Sequence, residues 1–443
     1  MIYLWYNEIR YESERKKMIN IEKEYKLLQD LSFVRVSGRG DEEKAADLIV
    51  KALEAEGLAA RKETFEVDSF NVESGVLEVL APFTKQYDVT TYANCGTTPE
   101  GGLEAELCYF ESDNEVCRKN VKGKIALVNG YLGRAVYKAL VECGAVGFIS
   151  FSGDIDKSVE VTDIDTRELR APLRDLGVIP GVHMRVHDVM EMMDAGASKV
   201  KFTVNQEVGK AESCNVVCEI KGTEDTKETI VFTGHYDSVP FSKGAYDNAT
   251  GSVCLYALAM YFKDHAPKRN LVFVFCGSEE RGLLGSKAYC AQHEDELENV
   301  VYCINVDMIG CTLGRRIAVA TADEKVVSFT DYFAKIVGFP ISASQGVYSS
   351  DSTPFADKGV PAISFARITP QGGGSIHNRF DVMEHLSARY LGEDTEFICK
   401  YAETLANSYV FPIKKEMPQK MKDELDKYLG RDKKDDAKNQ KAE

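Results

Sequence analysis

Apolar residues in this chain recur at two different periods. Over 41–57, Ala45, Leu48, Ile49, Ala52 and Leu53 return at three- and four-residue steps, which predicts an amphipathic helix capped by Asp41 and ended by Gly57. Residues 63–67 alternate and predict a strand. Unbroken runs rich in Val, Ile and Phe at 229–233, 271–276 and 300–306 predict buried strands. Helical stretches at 249–264, 283–292 and 325–337 separate or follow them. Such alternation implies an α/β fold, a mixed, largely parallel sheet sandwiched between helices. The stretch 249–264 is apolar nearly all round (Val253, Leu255, Leu258, Met260), so it is expected to be buried.

From about 70 to 207 the texture changes to Gly-rich loops and short strands. Within it, 124–128, 135–143 and 145–151 read as strand, helix and strand. This divides the chain into a discontinuous main domain, 18–70 and 208–412, and a smaller β-rich α+β insert, 71–207. Residues 413–443 form a charged tail whose start can be a short helix and whose last dozen residues read as disordered. No repeat of fixed period is present.

With 443 residues the chain suits about three domains, or one large domain with an insert. The net charge of −16 opposes binding to nucleic-acid backbones. No apolar run approaches the ~20 residues that span a bilayer, so neither nucleic acid nor membrane is an expected partner. Met1 to Tyr6 is too short for a secretory core, and Met18 opens a more ordinary start, so residues 1–17 read as an over-called leader. The twelve cysteines are scattered, and the 214/218 pair is read as chance. Cytoplasmic, reducing surroundings are expected.

The candidate chemistry stands at the ends of the buried strands. The first runs into Gly234-His235-Tyr236-Asp237, the second into Gly277-Ser278-Glu279-Glu280, and the third into Asp307. Open α/β sheets bind ligands beyond the carboxyl ends of their strands. Asp247 precedes the buried helix, and His377 follows the flexible Gly372-Gly373-Gly374. A pair of divalent metals needs one bridging carboxylate and neutral imidazoles to complete each site. His235, Asp247, Glu280, Asp307 and His377 make up that set, with Glu279 left over to take a proton from water. Two Zn ions fit the mixed nitrogen and oxygen donors best, and Mn or Co would be tolerated. Any one of these residues alone would be a surface or satisfied polar group. Their common place at strand ends gives the signal its weight.

At these residues the sequence resembles the co-catalytic di-zinc metallopeptidases of the aminopeptidase Y and glutamate carboxypeptidase type. The matching pieces are Gly234–Asp237, Gly244–Asn248, Ser278–Ser286, Asn305–Met308, Ser350-Asp351 with Pro354-Phe355, and His377 with Asp381. They extend over about 41–65 and 213–405. The insert resembles a protease-associated (PA) domain through Val121–Val128 and Gly144–Gly147. The resemblance implies that His235 and Asp307 hold one zinc and Glu280 and His377 the other, with Asp247 between them. It implies Glu279 as general base, Asp237 as the residue orienting His235, and a cis bond between Asp247 and Asn248. The His235-to-Asp247 interval of twelve residues disfavours related families with a long segment there. Two positions depart from the pattern: Ile376 replaces a frequent Tyr before the final His, and Asn378 a frequent Thr after it. Tyr246, Tyr348 or the second metal would then have to stabilise the oxyanion.

The leading expectation is a zinc aminopeptidase acting on peptides with a free N-terminus. The second is a carboxypeptidase, dipeptidase or amide deacylase with the same metal chemistry. The third is a non-catalytic, receptor-like relative, which the complete residue set argues against. Several features are expected to be structural. His183 and His187 have helical metal-pair spacing but are read as a solvated helix face, and His265, His293 and His385 as surface. Arg367 and Arg379 either meet a substrate carboxylate or pair with local acids. No GxSxG elbow, phosphate loop or dinucleotide fingerprint occurs.

Overall fold

A computed structural model describes residues 18–70, 72–130, 132–159, 164–206 and 209–431. The leader 1–17 and the last dozen residues of the tail therefore lie outside the described residues. Helices α1 (Ile21–Leu31) and α2 (Gly40–Ala55) lead into β1 (Ala60–Ser69). The insert follows as β2 (Ser74–Ala81), β3 (Lys85–Thr91), β4 (Leu103–Phe110), α3 (Glu115–Asn120), β5 (Ile125–Val128), α4 (Arg134–Glu142), β6 (Gly147–Ser152), α5 (Ala171–Arg174), β7 (Gly181–Arg185), α6 (Val186–Asp194) and β8 (Lys199–Phe202). The chain returns through β9 (Gly209–Ile220), β10 (Thr229–His235), α7 (Thr250–Asp264), β11 (Asn270–Cys276), α8 (Leu284–Gln292) and β12 (Val300–Val306). It continues as β13 (Arg315–Thr321), α9 (Glu324–Val337), β14 (Ser342–Gln345), α10 (Ser352–Asp357), β15 (Ala362–Ile368), α11 (Ala388–Ala406) and α12 (Gln419–Tyr428).

One eight-stranded sheet has the order β1-β9-β11-β10-β12-β15-β13-β14. Its centre, β11-β10-β12-β15, is parallel, and β1, β9 and β13 join antiparallel to their inner neighbours. Side chains of the central strands alternate between two cores, as a doubly covered sheet requires. Ile230 and Phe232 face the core shared with α1, α2, α7, α9 and α11, while Val231 faces the core shared with α8, α10 and α12. Helix α7 is buried on nearly every side, which explains its unbroken apolar sequence. Helix α12, at the start of the expected tail, docks on the second core through Leu425, and its Met421 is also buried.

The α2 cap departs from expectation. The helix begins at Gly40 after Arg39, without a side-chain cap, and Asp41 falls in its first turn. There its charge favours the positive end of the helix. The next residue, Glu42, turns inward and accepts a hydrogen bond from Gly38 N at 2.6 Å.

The insert closes a seven-stranded barrel, β2-β3-β7-β6-β5-β4-β8, around its own core. His183 belongs to that barrel and not to a solvated helix face: it lies on β7 and is 2 % exposed. The strand ends at Arg185, so His187 alone lies on α6. His183 Nδ1 is 2.6 Å from Ser150 Oγ and Nε2 is 2.8 Å from Ser152 Oγ, so the ring is fully satisfied without a metal. Burial, with Arg167 adding, lowers its pKa to about 3. The unfolded ring, with a pKa of ~6.5, gains a proton that the folded one refuses, so acidification from pH 6.5 towards 3 favours unfolding. Between pH 7 and 4 this difference amounts to about 3 kcal/mol. Denaturant titrations should show wild type losing about that much more stability over this range than His183→Gln. Equal losses would mean that the ring titrates normally.

No helix among the described residues is long and apolar enough to cross a membrane.

Candidate metal centre

The parallel centre of the sheet brings three strand ends level. His235 on β10 pairs in register with Cys276 on β11, and Thr233 with Asn305 on β12. The segments beyond these ends then converge. His235 Nε2 is 3.1 Å from Asp247 Oδ1 and 3.7 Å from Asp307 Oδ1. His377 Nε2 is 3.0 Å from Asp247 Oδ2 and 3.2 Å from Glu280 Oε2. Asp247 thus turns one oxygen to each imidazole. The donors form two sets that share it, His235/Asp247/Asp307 and Asp247/Glu280/His377. Glu279 belongs to neither set, and its Oε2 lies 3.9 Å from His235 Nε2.

Local backbone explains how these groups are held. Asp237, fully buried, accepts Glu279 N at 2.9 Å on one oxygen and Glu280 N at 3.2 Å on the other. It also lies 3.4 Å from His235 Nδ1, so the carboxylate that holds the Glu-Glu turn also faces the ring. Asp381 clamps the loop before α7, accepting Tyr246 N at 2.7 Å and Asp247 N at 3.1 Å. Asn248 Oδ1 accepts Met308 N at 3.0 Å, and its amide donates to Val306 O at 2.9 Å, which ties the same loop to the end of β12. The Asp247–Asn248 bond is cis. Ser278, Met308 and His377 adopt positive φ beside or at the donor residues. For residues with a Cβ this costs of order 1 kcal/mol each and is characteristic of functional sites.

Two buried side chains that sequence reasoning missed complete the scaffold. Arg35 donates to the carbonyls of Leu31, Phe33, Tyr236, Lys243 and Gly244, joining the segment after β10 to the loop that carries Asp247. Burial lowers its pKa to about 10 against the pull of Asp381 and Asp237, so it stays charged. Gly244 has φ +53, and a Cβ there would lie 2.7 Å from Arg35 Nη2. Glu42 accepts the Ser278 amide at 2.8 Å and Ser213 Oγ at 2.9 Å. Burial, reinforced by Asp237, raises its pKa to about 8. Neither residue announces itself in sequence: Arg35 sits in a short polar-apolar stretch, and Glu42 looks like any first-turn helix acid.

Burial raises the Glu279 carboxyl well above its usual range, and Asp351, Glu280 and Asp307 push the same way against His235. Burial and Asp247 also raise Glu280. For the His235 ring burial works downward, yet Glu279, Asp237, Asp247 and Asp307 outweigh it and hold the ring well above its usual pKa. The pocket therefore demands positive charge. Asp307 Oδ1 and Glu280 Oε1 are buried with no hydrogen-bond partner, one in each donor set. Unpartnered buried carboxylate oxygens are costly unless a cation completes them, so the residues fit a pair of divalent metals with nitrogen and oxygen donors.

The other expected site residues divide. Tyr246 donates its hydroxyl to Arg367 O at 2.5 Å and is spent there. Tyr348 instead lines the cavity at the metal end. Burial, with Asp307 and Asp247, raises its pKa and keeps the phenol a donor. Arg367 is buried, with its guanidinium 4.2 Å from the Tyr390 ring and 3.6 Å from Asp394, which resolves its two readings in favour of structure. The Arg379 guanidinium lies 4.9 Å from the Phe380 ring. His265 is exposed and stacks on Tyr261, and His293 pairs with Glu63 at 2.9 Å. His385, partly buried, has Nε2 3.0 Å from Phe380 O.

Residues 215–402, which hold every candidate ligand, match the model of Peptidase family M28. Over this segment the chain is similar to the peptidases of that family. Aminopeptidase YwaD of Bacillus subtilis is 26% identical over 436 residues, 93% of this chain and 91% of its own length. Carboxypeptidase Q of Bos taurus is 26% identical over 360 residues, 76% of this chain and 75% of its own. The crystal structure of a zinc aminopeptidase from Bacillus subtilis has the same fold, with a TM-score of 0.76 at 24% identity over 91% of this chain and 100% of that one. The chain described here is accordingly a peptidase with a mixed α/β fold.

Proposed function

We propose that this peptidase is an aminopeptidase that uses two zinc ions to remove N-terminal residues from peptides. The observation that carries the reading is Asp247, whose two oxygens each face a different imidazole at 3.1 and 3.0 Å. His235 and Asp307 would hold one ion, and Glu280 and His377 the other, with Asp247 shared. Bound zinc ions would supply Lewis acidity, polarising the scissile carbonyl and making water acidic near neutral pH. Mn or Co would satisfy the same donors. Glu279, outside both donor sets, takes the proton from the attacking water and returns it to the departing amine. Tyr348 donates a hydrogen bond to the oxygen that gains charge, in place of the tyrosine absent at Ile376. The acidic wall of the pocket attracts the substrate's free ammonium group. The insert, 71–207, whose strands form the barrel, is read as a protease-associated domain, and the cytoplasm as the place of action.

The test is a panel of aminoacyl arylamides with and without chelator. Free-amine substrates should be cleaved, a chelator should abolish cleavage, and zinc should restore it. The N-acetylated counterparts should be inert. Cleavage of N-acetylated peptides from the carboxyl end would favour the second reading, for which the likeness to Carboxypeptidase Q speaks.

A further inference from the structure

Two cavities meet at the metal centre. One, of about 610 Å³, runs between the barrel and the metal-bearing loops. The other, of about 350 Å³, holds the metal donors themselves. Arg170, Glu280, Ile376 and His377 line both. Arg170 alone among these comes from the insert, just before α5.

The guanidinium groups around the larger cavity have different fates. Arg167 pairs with Asp165 at 2.8 Å, and Arg281 with Glu168 at 3.1 Å while it stacks on Phe70. Arg134 donates to Pro172 O at 2.5 Å. Arg170 is exposed, and its guanidinium has no ion pair or hydrogen bond among the described residues. In a chain of net charge −16, an unpaired arginine held opposite a carboxylate-rich metal centre is not a generic surface feature.

We propose that Arg170 binds the free carboxylate of a short peptide, so that di- and tripeptides are the preferred substrates. The inference rests on the peptidase reading above and specifies its substrate class. A peptide whose N-terminal end enters the cavity that holds the metal donors points its other end towards the larger cavity, and Arg170 lines both. An extended residue spans ~3.3–3.6 Å, so the carboxylate of a di- or tripeptide lies within roughly 10 Å of the scissile bond, within reach of an arginine on the facing wall. Guanidinium groups bind carboxylates in a two-pronged, charge-assisted geometry that neither an amide nor a longer chain offers at that place. A cavity of about 610 Å³ suits a ligand of this size and not a folded protein terminus.

The experiment compares leucyl-glycine with leucyl-glycinamide in wild type, Arg170→Ala and Arg170→Lys, all loaded with zinc. Wild type should show a KM for the free acid about tenfold below that of the amide, which corresponds to about 1.4 kcal/mol. Arg170→Ala should bring the two KM values together, chiefly by raising that of the free acid, and Arg170→Lys should restore part of the gap. A general defect in folding would move both substrates alike. Binding of the same pair to the Glu279→Gln protein by calorimetry repeats the comparison without turnover. It therefore decides the matter even if the aminopeptidase reading fails with the arylamides. A free acid that binds no tighter than its amide, or a preference that survives Arg170→Ala, overturns the proposal.

Discussion

Glu279→Gln is expected to retain zinc at the wild-type content and to lose about 10³-fold in kcat, a loss of about 4 kcal/mol in transition-state stabilisation. The side chain is 11% exposed and belongs to neither donor set, so exchanging one oxygen for an amide removes no ligand. Its backbone stays anchored because Asp237 holds the Glu279 amide at 2.9 Å whatever the side chain is. Glutamine keeps the volume and can still hydrogen-bond, but it cannot take a proton from water. The loss should therefore fall on kcat, with KM little changed. Metal analysis beside steady-state kinetics checks both halves. Full turnover in a metal-loaded variant would remove Glu279 from the base role.

Asp247→Ala is expected to have the opposite character, losing both metals and all measurable activity. Each donor set has three members and this residue is in both, so its removal leaves each with one histidine and one carboxylate. His377→Ala should spare the set built on His235 and retain about one metal per chain, since a catalytic zinc site holds with three protein donors and water. Elemental analysis after gel filtration distinguishes the two variants. The fold should survive, because the loop carrying Asp247 is held by backbone bonds to Asp381 and by Arg35, none of which uses the Asp247 side chain. Asp247 repels Glu280 but favours the charged forms of His235 and His377, so its removal trades relieved repulsion against lost attraction in the metal-free protein. Metal-free variant and metal-free wild type should accordingly melt within a few degrees of each other. A variant that keeps both metals would refute the shared role.

The site and the fold were legible to different depths. The strands β10, β11 and β12 stood out because parallel strands covered on both faces need unbroken apolar runs. The barrel strands did not: β3 (KQYDVTT) and β4 (LEAELCYF) mix exposed charges, at Lys85, Asp88, Glu104 and Glu106, with buried positions that follow no single face. His183 was misplaced for the same reason, since its spacing from His187 fits a helix while the pairing of Phe148–Ser152 with Gly181–Arg185 makes it a strand residue. Asp41 looked like a cap because helix starts favour acids, but Arg39 and Gly40 begin the turn earlier.

Sequence alone determined which residue types stand at the ends of the central strands. It also determined that those ends share one edge, because strand-helix-strand connections run parallel and deliver every carboxyl end to the same side. Only the tertiary structure decided that Asp247 faces two imidazoles at once, that Arg35 and Glu42 hold the loops from inside, and that Arg170 of the insert overlooks the centre. Those relations join residues as far as 236 positions apart in the chain. A local period of two or 3.6 residues carries no record of such contacts, which arise when separate elements pack against one another.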